Sequence, residues 1–375
     1  MIYLDNAATG GFKISAVINT ANKINKFLCA NPGRSGHKLS NEGLILVSET
    51  RETIANAFGC SSERVIFTKN CTEALNLAIF GANIAKTEVL TTIYEHNSVL
   101  RPLYRLCEQN KITLKVLKPD QENDLYSLIK SNLSLNTGMV VTTAISNVTG
   151  EVIPVKKIGE LLKDKGIFYV VDGAQAGGHL ALSLKDDNIS ALCLAGHKGL
   201  YGLMGTGALL LSDNAELNPL LFGGTGSYTM LKTQPSSYPE KLECGTLNLS
   251  GIASLKEGVL YATRNLSNFH DLLISLSKQT IDGLIKINGV KVYSKPNPAG
   301  IVSFSVKDLS SQEVALILDD EFDIAVRGGL HCAPLMHENL QTLNLGLVRA
   351  SFSAHNTSRE ARALISAIKR ISERV

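Results

Sequence analysis

Three short segments of this 375-residue chain carry side chains that could act together in catalysis. Val170–Gln175 (VVDGAQ) is an apolar run that ends in the carboxylate Asp172. Ala195–Gly199 (AGHKG) follows another apolar run and carries Lys198, which comes 26 residues after Asp172. Thr68–Ala74 (TKNCTEA) has the pattern of a strand-to-helix turn and is rich in hydrogen-bond donors. A carboxylate, an amine and a helix N-terminus are therefore candidates for one shared site.

Chemistry with pyridoxal phosphate (PLP) requires these three parts. A lysine such as Lys198 forms the Schiff base, and a carboxylate such as Asp172 pairs with the protonated pyridine nitrogen and keeps the ring an electron sink. A helix N-terminus with free backbone N–H groups binds the phosphate. Taken singly, Asp172 could be a turn residue, Lys198 a solvated loop lysine and Thr72 a helix N-cap. Their joint occurrence at predicted strand ends favours a PLP site.

A second group of reactive side chains lies nearer the C-terminus. Val326–Pro334 (VRGGLHCAP) places two glycines before Cys332, which predicts a mobile turn that carries a nucleophilic thiol. Arg327 and His331 are close enough in sequence to favour the thiolate form of Cys332. Arg349 offers the planar fork that holds an amino-acid carboxylate through two hydrogen bonds. The segment is therefore a candidate for accepting sulfur from a substrate.

These residues also have ordinary interpretations. Cys332 could be a buried structural thiol, and Arg349 could belong to a surface ion pair. A metal site built from His331, Cys332 and His337 lacks a spaced fourth ligand, so no metal site is predicted.

The elements that would position these residues follow from the hydrophobic pattern. Between about residues 64 and 212, β-rich runs alternate with helical stretches, and several runs are apolar throughout, as strands covered on both faces must be. The alternation predicts an α/β fold with a mostly parallel seven-stranded sheet, helices on both faces and a ligand site at the carboxyl ends of the strands. The predicted strands are Arg64–Thr68, Glu88–Thr92, Thr113–Leu117, Met139–Ile145, Ile167–Val171, Ala191–Ala195 and Gly207–Leu211.

The pattern changes after about residue 250. A helical tract over Gly251–Ile281 leads to a smaller α+β section. The capping-box patterns Ser310–Glu313 (SSQE) and Thr357–Glu360 (TSRE) predict two helix starts there. The strands predicted for this section are Ile301–Val306, Asp323–Arg327 and Leu347–Ser353.

The chain is longer than a single hydrophobic core usually supports, so two packed domains are expected. We assign residues 13–255 to a large PLP-binding α/β domain. Residues 1–12 and 256–375 are assigned to a small α+β domain that carries Cys332. The cleft between the two domains is the expected active site.

Bulk composition narrows the class of protein. The chain is 44% hydrophobic and 19% charged, which is ordinary for a globular protein. Its net charge of +3 arises from 37 basic and 34 acidic residues mixed along the chain, so nucleic acid is not an expected partner. There is no signal-peptide pattern and no run of ~20 apolar residues, which predicts a cytoplasmic protein without a membrane partner. Seven cysteines without CxxC spacing argue against a disulfide framework.

Six segments, taken together, resemble the class V aminotransferase fold of PLP enzymes, specifically the cysteine desulfurase and selenocysteine lyase family. The resemblance covers nearly the whole chain and implies a PLP-dependent transferase fold of type I. The segments are, in chain order, LDNAAT (Leu4–Thr9), EHNS (Glu95–Ser98), SNVTGEVIP (Ser146–Pro154), VDGAQ (Val171–Gln175), GHKGLYG (Gly196–Gly202) and ECGTLN (Glu243–Asn248).

The resemblance implies a role for each matching residue. Lys198 would carry the cofactor, Asp172 would face its pyridine nitrogen, and His96 would stack on the ring and move protons. A homodimer with shared active sites is implied, because Thr246 would reach the phosphate of the partner subunit. The other implied cofactor contacts are Cys71, Thr72 and His197 around the phosphate, and Asn147 and Gln175 beside the ring. The implied substrate-binding residues are Arg349, which would hold the substrate carboxylate, together with Asn147, Arg327 and Ala8.

Two positions depart from the family pattern. Relatives usually have Ser or Thr where this chain has Ala195, which removes one possible phosphate hydrogen bond. RGGLHCA (Arg327–Ala333) resembles the RxGHHCA segment of group II, Suf-type desulfurases, but Leu330 replaces the first histidine. The longer form LHCAPLMH (Leu330–His337) is more similar still to desulfurase-like proteins whose physiological acceptor is poorly defined.

The resulting hypothesis is a PLP-dependent cysteine desulfurase that converts L-cysteine to L-alanine and forms a persulfide on Cys332. Three alternatives remain open at this point: a lyase acting on L-selenocysteine, an aminotransferase on the same fold, and a scaffold without PLP that only carries sulfur. A protein that accepts the sulfur or selenium is a possible further partner.

Overall fold

The computed structural model describes residues 1–120 and 122–374. The strands are β1 (Ile2–Tyr3), β2 (Val65–Thr68), β3 (Glu88–Thr92), β4 (Thr113–Leu117), β5 (Thr137–Thr143), β6 (Phe168–Asp172), β7 (Ala191–Ala195), β8 (Gly207–Leu211), β9 (Val290–Val292), β10 (Ile301–Val306), β11 (Ile324–Ala325), β12 (Arg327–Gly329) and β13 (Leu347–Ser351). The helices are α1 (Ser15–Phe27), α2 (Lys38–Phe58), α3 (Cys71–Gly81), α4 (Asn97–Glu108), α5 (Leu125–Asn132), α6 (Val155–Leu162), α7 (Leu249–Arg264), α8 (Leu266–Leu284), α9 (Ser311–Phe322), α10 (Pro334–Leu340) and α11 (Ser358–Ser372).

The predicted seven-stranded sheet is present, with the strand order β2-β8-β7-β6-β5-β3-β4. It is mostly parallel; β8 alone runs antiparallel to both of its neighbours among the described strands. Side chains alternate between its faces, so that Val171 and Leu192 belong to one apolar cluster and Val170 and Cys193 to the other. Because helices cover both clusters, the strands can be apolar throughout. The α/β prediction is confirmed.

The predicted strand Met139–Ile145 is shifted in the structure, where β5 begins and ends two residues earlier. At its start, the Thr137 hydroxyl donates to Glu88 Oε1 at 2.6 Å and joins β5 to β3. At its end, the Thr143 hydroxyl donates to the Ile145 carbonyl at 2.9 Å and turns the chain out of the sheet. These side-chain contacts set the ends of the strand, and the apolar pattern alone does not contain them.

The smaller section is built on an antiparallel sheet with the order β12-β13-β10-β9. The single strand predicted over Asp323–Arg327 is wrong, because the chain changes sheets at Val326. Before Val326, β11 pairs in parallel with β1, and after it, β12 pairs antiparallel with β13. The N-terminal strand is thereby held against the smaller section, which has its own apolar cluster around Val302, Phe304 and Leu364.

The helical tract predicted over Gly251–Ile281 consists of two helices that meet at Asn265, whose amide donates to the Tyr261 carbonyl at 2.8 Å. The predicted domain boundary at residue 255 falls inside α7, which packs against α1 and α2. Both predicted capping boxes are present, at the starts of α9 and α11. Within residues 1–120 and 122–374, no helix combines the length and apolar character that crossing a membrane requires.

Candidate active site

A cavity opens at the carboxyl ends of β6 and β7, beside the start of α3. It lies where parallel α/β sheets usually bind ligands. Most residues predicted to bind the cofactor meet there. They are Cys71, Thr72, His96, Asn147, Asp172, Gln175, His197 and Lys198.

The amine and the carboxylate of the predicted pair share this cavity because β6 and β7 are adjacent strands. Asp172 is the last residue of β6 and pairs with Cys193 of β7, and Lys198 follows the end of β7. Burial lowers the pKa of Lys198, while the charge of Asp172 acts in the opposite direction. The shift favours the neutral amine, which is the form that attacks an aldehyde.

The carboxylate of Asp172 is arranged to present one oxygen to the cavity. Its Oδ1 accepts hydrogen bonds from the Ala174 backbone N–H at 2.9 Å and from Cys71 Sγ at 3.4 Å. Within the described part of the chain, Oδ2 has no such partner. Asp172 is otherwise buried. A buried carboxylate with one unoccupied oxygen suits a protonated ring nitrogen, so this end of the cavity fits PLP.

The other requirement for PLP, a site that can bind its phosphate, is met by the N-terminus of α3. The helix is capped by Asn70, whose side chain accepts from the Glu73 backbone N–H at 2.9 Å. Thr72 is exposed, and its hydroxyl lies 2.8 Å from that of Ser98 at the start of α4. The first turn of α3 and the two hydroxyl groups can donate to an anion. Asn70 and Ser98 were missed from the sequence, although the NCTE capping pattern and the EHNS segment pointed to them.

His96 lies at the mouth of the cavity as the N-cap of α4. Its Nδ1 accepts from the Ser98 backbone N–H at 3.0 Å, which fixes the orientation of the ring. Burial lowers the pKa of His96 to about 4. The imidazole is therefore neutral near pH 7 and can accept a proton from a bound ligand.

The N-terminal segment holds two further cavity residues. Gln175 Nε2 donates to the Ala7 carbonyl at 2.8 Å, and His197 Nδ1 lies 3.1 Å from the Thr9 hydroxyl. Burial lowers the pKa of His197 to about 4. Ala8 lies between these contacts but does not line the cavity; its backbone N–H donates to the Asp5 carbonyl.

Cys332 lies on a turn that hydrogen bonds connect to the cavity, and the mobility predicted from the glycines stays a prediction. Gly329, His331 and Cys332 all have positive φ angles, of 119°, 51° and 57°. The Cys332 carbonyl accepts from the Asn97 backbone N–H at 2.7 Å, and the His331 carbonyl accepts from Asn147 Nδ2 at 2.7 Å. Asn147 and α4 both border the cavity, so the turn is anchored to it. The Cys332 side chain is exposed, which excludes a buried structural thiol.

The surroundings of His331 do not support the expectation that its charge favours a thiolate. Its side chain is 2% exposed, and burial lowers its pKa to about 2, so the ring carries no charge near neutral pH. Neither ring nitrogen has a hydrogen-bond partner among the residues described. The ring packs edge-on against His337, with 5.7 Å between centroids. Any cationic assistance to Cys332 must come from the neighbouring arginines.

Arg349 is buried, at 1% exposure, and so is not a surface ion-pair residue. Its Nη2 donates to Asp5 Oδ1 at 3.1 Å and its Nη1 donates to the Asn147 carbonyl at 3.0 Å. Its Nε has no partner within residues 1–120 and 122–374. Arg327 is half-buried and pairs with Arg349 across β12 and β13. Two cations therefore adjoin the turn that carries Cys332.

Thr246 does not line the cavity formed by its own chain. It is exposed, and its neighbour Gly245 packs against the Gly223–Gly226 loop through a backbone hydrogen bond to Gly224. Arg34 donates to the carbonyls of Gly224 and Gly245 at 3.0 and 2.8 Å. The segment is thus ordered by contacts away from the cavity, which leaves Thr246 available to another molecule.

Comparisons with known proteins agree with this geometry. Residues 2–364 match the family model described as Aminotransferase class-V. A probable cysteine desulfurase from Methanothermobacter thermautotrophicus is 32% identical, over 99% of this chain and 94% of the relative. One from Pyrococcus abyssi is also 32% identical, with the same coverage.

Solved structures show the same architecture. The apo structure of a cysteine desulfurase from Thermococcus onnurineus NA1 superposes with a TM-score of 0.91 at 31% identity, over 100% of this chain and 95% of the other. The cysteine desulfurase CsdA from Escherichia coli gives a TM-score of 0.87 at 25% identity, with the same coverage. The fold is therefore the type I fold of PLP enzymes. The family match, the relatives and the cavity at the strand ends agree, and the chain belongs to the class V aminotransferase family.

Proposed function

We propose that this protein is a PLP-dependent cysteine desulfurase that converts L-cysteine to L-alanine and accepts the sulfur on Cys332. Members of its family use PLP, and its relatives include proteins named probable cysteine desulfurase. The observation that carries the proposal is the anchoring of the Cys332 turn to the PLP-type cavity. The Asn97 backbone N–H, next to His96, donates to the Cys332 carbonyl, so the turn that carries the exposed thiol is hydrogen-bonded to the start of α4 at the cavity.

Each part of the cavity has a separate task in this proposal. Lys198 would hold the cofactor, Asp172 would pair with its ring nitrogen, and the first turn of α3 would bind its phosphate. When bound, PLP supplies an electron sink for the substrate carbon skeleton. The neutral imidazole of His96 can hold or release a proton near the substrate.

The substrate is oriented by the residues around Arg349. The carboxylate of L-cysteine can accept from the guanidinium of Arg349 in exchange for Asp5, whose Oδ1 accepts from Nη2 at 3.1 Å. The amine of Lys198 can take the α-proton of the substrate. The Cys332 thiolate attacks the substrate sulfur, an S–S bond forms, and the electron pair of the broken C–S bond stays with the carbon skeleton. That skeleton gains protons and leaves as alanine.

The proposal is tested with PLP-loaded wild type and a Cys332→Ser variant. We expect wild type to form alanine from L-cysteine and to carry a persulfide detectable on Cys332 by mass spectrometry. Cys332→Ser should keep the visible absorption of bound PLP and lose sulfur transfer. The variant Cys29→Ser, at another exposed cysteine, is the matched control and should behave as wild type. Unchanged desulfuration in Cys332→Ser would exclude the persulfide step.

L-selenocysteine is a second candidate substrate, favoured by the uncharged His331 and by Leu330 at the position of the family's first histidine. A selenol leaves more readily than a thiol, so it depends less on activation of Cys332. Parallel alanine assays with both amino acids measure the preference. Formation of pyruvate from alanine would instead indicate an aminotransferase, and the absence of a borohydride-trapped PLP–lysine adduct would indicate a scaffold without the cofactor.

We also propose that the protein is a homodimer in which Thr246 of one subunit reaches the cofactor site of the other. Besides the exposed Thr246, the nearby side chains of Leu221, Phe222 and Met230 are apolar and exposed, at 51%, 72% and 93%. Apolar side chains this exposed suit an interface between subunits. Analytical ultracentrifugation of wild type and a Phe222→Glu variant tests this: the variant should sediment as a monomer. A monomeric wild type contradicts the proposal.

The exposed thiol of Cys332 suits transfer of sulfur or selenium to an acceptor protein, and we propose the cytoplasm as the compartment in which this occurs. Fluorescence microscopy of the tagged full chain in its host checks the compartment. Membrane-bound or secreted fluorescence would contradict it.

A further inference from the structure

Two buried thiols flank the carboxylate of Asp172, and they differ in their contact with it. Cys193 is the Cα partner of Asp172 on β7, and Cys71 is the first residue of α3. Cys71 Sγ lies 3.4 Å from Asp172 Oδ1, within hydrogen-bond distance for sulfur. Cys193 makes no hydrogen bond to this carboxylate among the described residues. The two thiols are therefore a natural pair of test and control positions.

The Cys71 sulfur is the donor in this contact. Burial raises the pKa of the Cys71 thiol well above its usual value, and the negative charge of Asp172 acts in the same direction. A protonated thiol beside a carboxylate donates its hydrogen. Together with the Ala174 backbone N–H at 2.9 Å, it gives Oδ1 two donors and leaves Oδ2 for the cavity.

We propose that Cys71 is a positioning residue for the cofactor, whose thiol orients Asp172 and weakens its hold on the proton of the pyridine nitrogen. The inference rests on PLP binding in the proposed function, but not on the persulfide step at Cys332. It also differs from a phosphate-binding role for the Cys71 side chain, since that side chain faces the carboxylate. Any contribution of Cys71 to the phosphate site would come from its backbone N–H.

Loss of the thiol should have a measurable sign. Without its second donor, Asp172 holds the ring proton more strongly, and the ring becomes more electron-withdrawing. The lysine-linked chromophore then releases its own proton at lower pH. A weak hydrogen bond of this kind corresponds to about 0.5 pH unit in the midpoint of the visible absorption change.

The experiment is a pH titration of the visible spectrum of PLP-loaded wild type, Cys71→Ala, Cys71→Ser and Cys193→Ala. We expect Cys71→Ala to move the midpoint down by about 0.5 pH unit, Cys71→Ser to restore most of it through its hydroxyl donor, and Cys193→Ala to match wild type. Unchanged PLP dissociation constants across the set would show that packing is preserved.

Three results would overturn the inference. The first is a Cys71→Ala midpoint equal to that of wild type, and the second is an equal shift in Cys193→Ala. The third is a Cys71→Ser midpoint as far from wild type as that of Cys71→Ala. If the alanine variant fails to fold, a downward shift of the Cys71→Ser midpoint by about 0.5 pH unit would by itself overturn the inference. A wild type without a PLP absorption band would overturn the proposed cofactor chemistry as well, whereas a band without a shift rejects the role of Cys71 alone.

Discussion

The cofactor cavity and the Cys332 turn are positioned in different ways. The cavity residues stand at the ends of neighbouring sheet strands and at one helix N-terminus, so regular secondary structure places them. The turn has three residues with positive φ angles and is held by hydrogen bonds from Asn97 and Asn147, which belong to elements of the cavity. The thiol therefore takes its position from the cavity, although it lies on a strained segment of another section.

The strongest test of this dependence removes the amine of the cavity. Lys198→Ala should lower alanine formation by at least about 10³-fold, because the residue proposed both to hold the cofactor and to act as the base is lost. Borohydride should then trap no PLP–lysine adduct on the chain, as mass spectrometry of tryptic peptides can show. Lys185→Ala, at an exposed lysine, serves as the control and should keep wild-type activity. Substantial alanine formation by Lys198→Ala would show that the chemistry at Cys332 does not require the amine of the cavity.

A buried carboxyl group next to His96 in the chain makes the stability of the folded protein depend on pH. Glu95 is fully buried, accepts from the Thr92 hydroxyl at 2.6 Å, and has its pKa raised from 4.5 to about 8, chiefly by burial. The folded state therefore retains a proton that the unfolded state releases. This contribution is complete below pH 4.5 and is lost as the pH rises towards 8, by an amount on the order of a few kcal/mol.

Glu95→Gln should remove this loss, since the amide remains neutral and its oxygen can still accept from Thr92. Urea unfolding of the PLP-loaded proteins at pH 5, 6, 7 and 8 measures the difference. We expect the free energy of unfolding of wild type to fall with pH more steeply than that of the variant. Parallel pH profiles would show that Glu95 is ionised in the folded protein.

The contribution of His331, on the Cys332 turn, to the free energy of unfolding should depend on pH in the opposite direction. Burial lowers the pKa of His331 from 6.5 to about 2, so the unfolded chain takes up a proton that the folded chain does not. The stabilisation is present above pH 6.5 and falls by about 2–3 kcal/mol as the pH drops to ~4.5. His331→Phe keeps a buried ring without titratable nitrogens and should make this acid limb shallower in urea unfolding, while His96 and His197 keep their own share of it. An acid limb of unchanged slope would exclude a contribution from His331.

The smallest expected effect comes from the backbone of the turn. Gly329 has a φ of 119°, and the nearest atom to an added Cβ is Gln312 Nε2 at 3.7 Å, so there is space for alanine but conformational strain. Gly329→Ala should cost about 1–2 kcal/mol and reduce sulfur transfer about tenfold, with PLP absorption unchanged. Gly36→Ala, where nothing lies within 4 Å of the added carbon, is the control and should keep the sulfur transfer of wild type. A loss of PLP binding in Gly329→Ala would show that the cavity also depends on the turn, and would contradict the interpretation given above.

The sequence was informative where regular structure places the side chains. Asp172 and Lys198 could be assigned to one site because each follows an apolar strand, and parallel strands end at a common edge. The capping boxes of α9 and α11 could be predicted because they depend on neighbouring residues. Local patterns of this kind survive folding with little change.

Contacts between distant segments could not be predicted. Cys71 and Asp172 are 101 residues apart, and Arg349 and Asp5 are 344 apart, and no local pattern links them. The uncharged state of His331 likewise depends on burial, which its charged neighbours in the sequence obscured. The contacts that hold the Cys332 turn were missed for the same reason, because Asn97 and Asn147 lie far away in the chain.

Under the proposed role of Arg349, its ion pair with Asp5 makes substrate recognition an exchange of partners. An incoming carboxylate approaches a guanidinium whose Nη2 already donates to Asp5 at 3.1 Å, so the free energy of binding is the difference between two ion pairs. We expect such a site to bind its ligand modestly and to release it readily, with Asp5 returning to Arg349 after each turnover. The N-terminal segment would then act as a built-in competitor for the substrate.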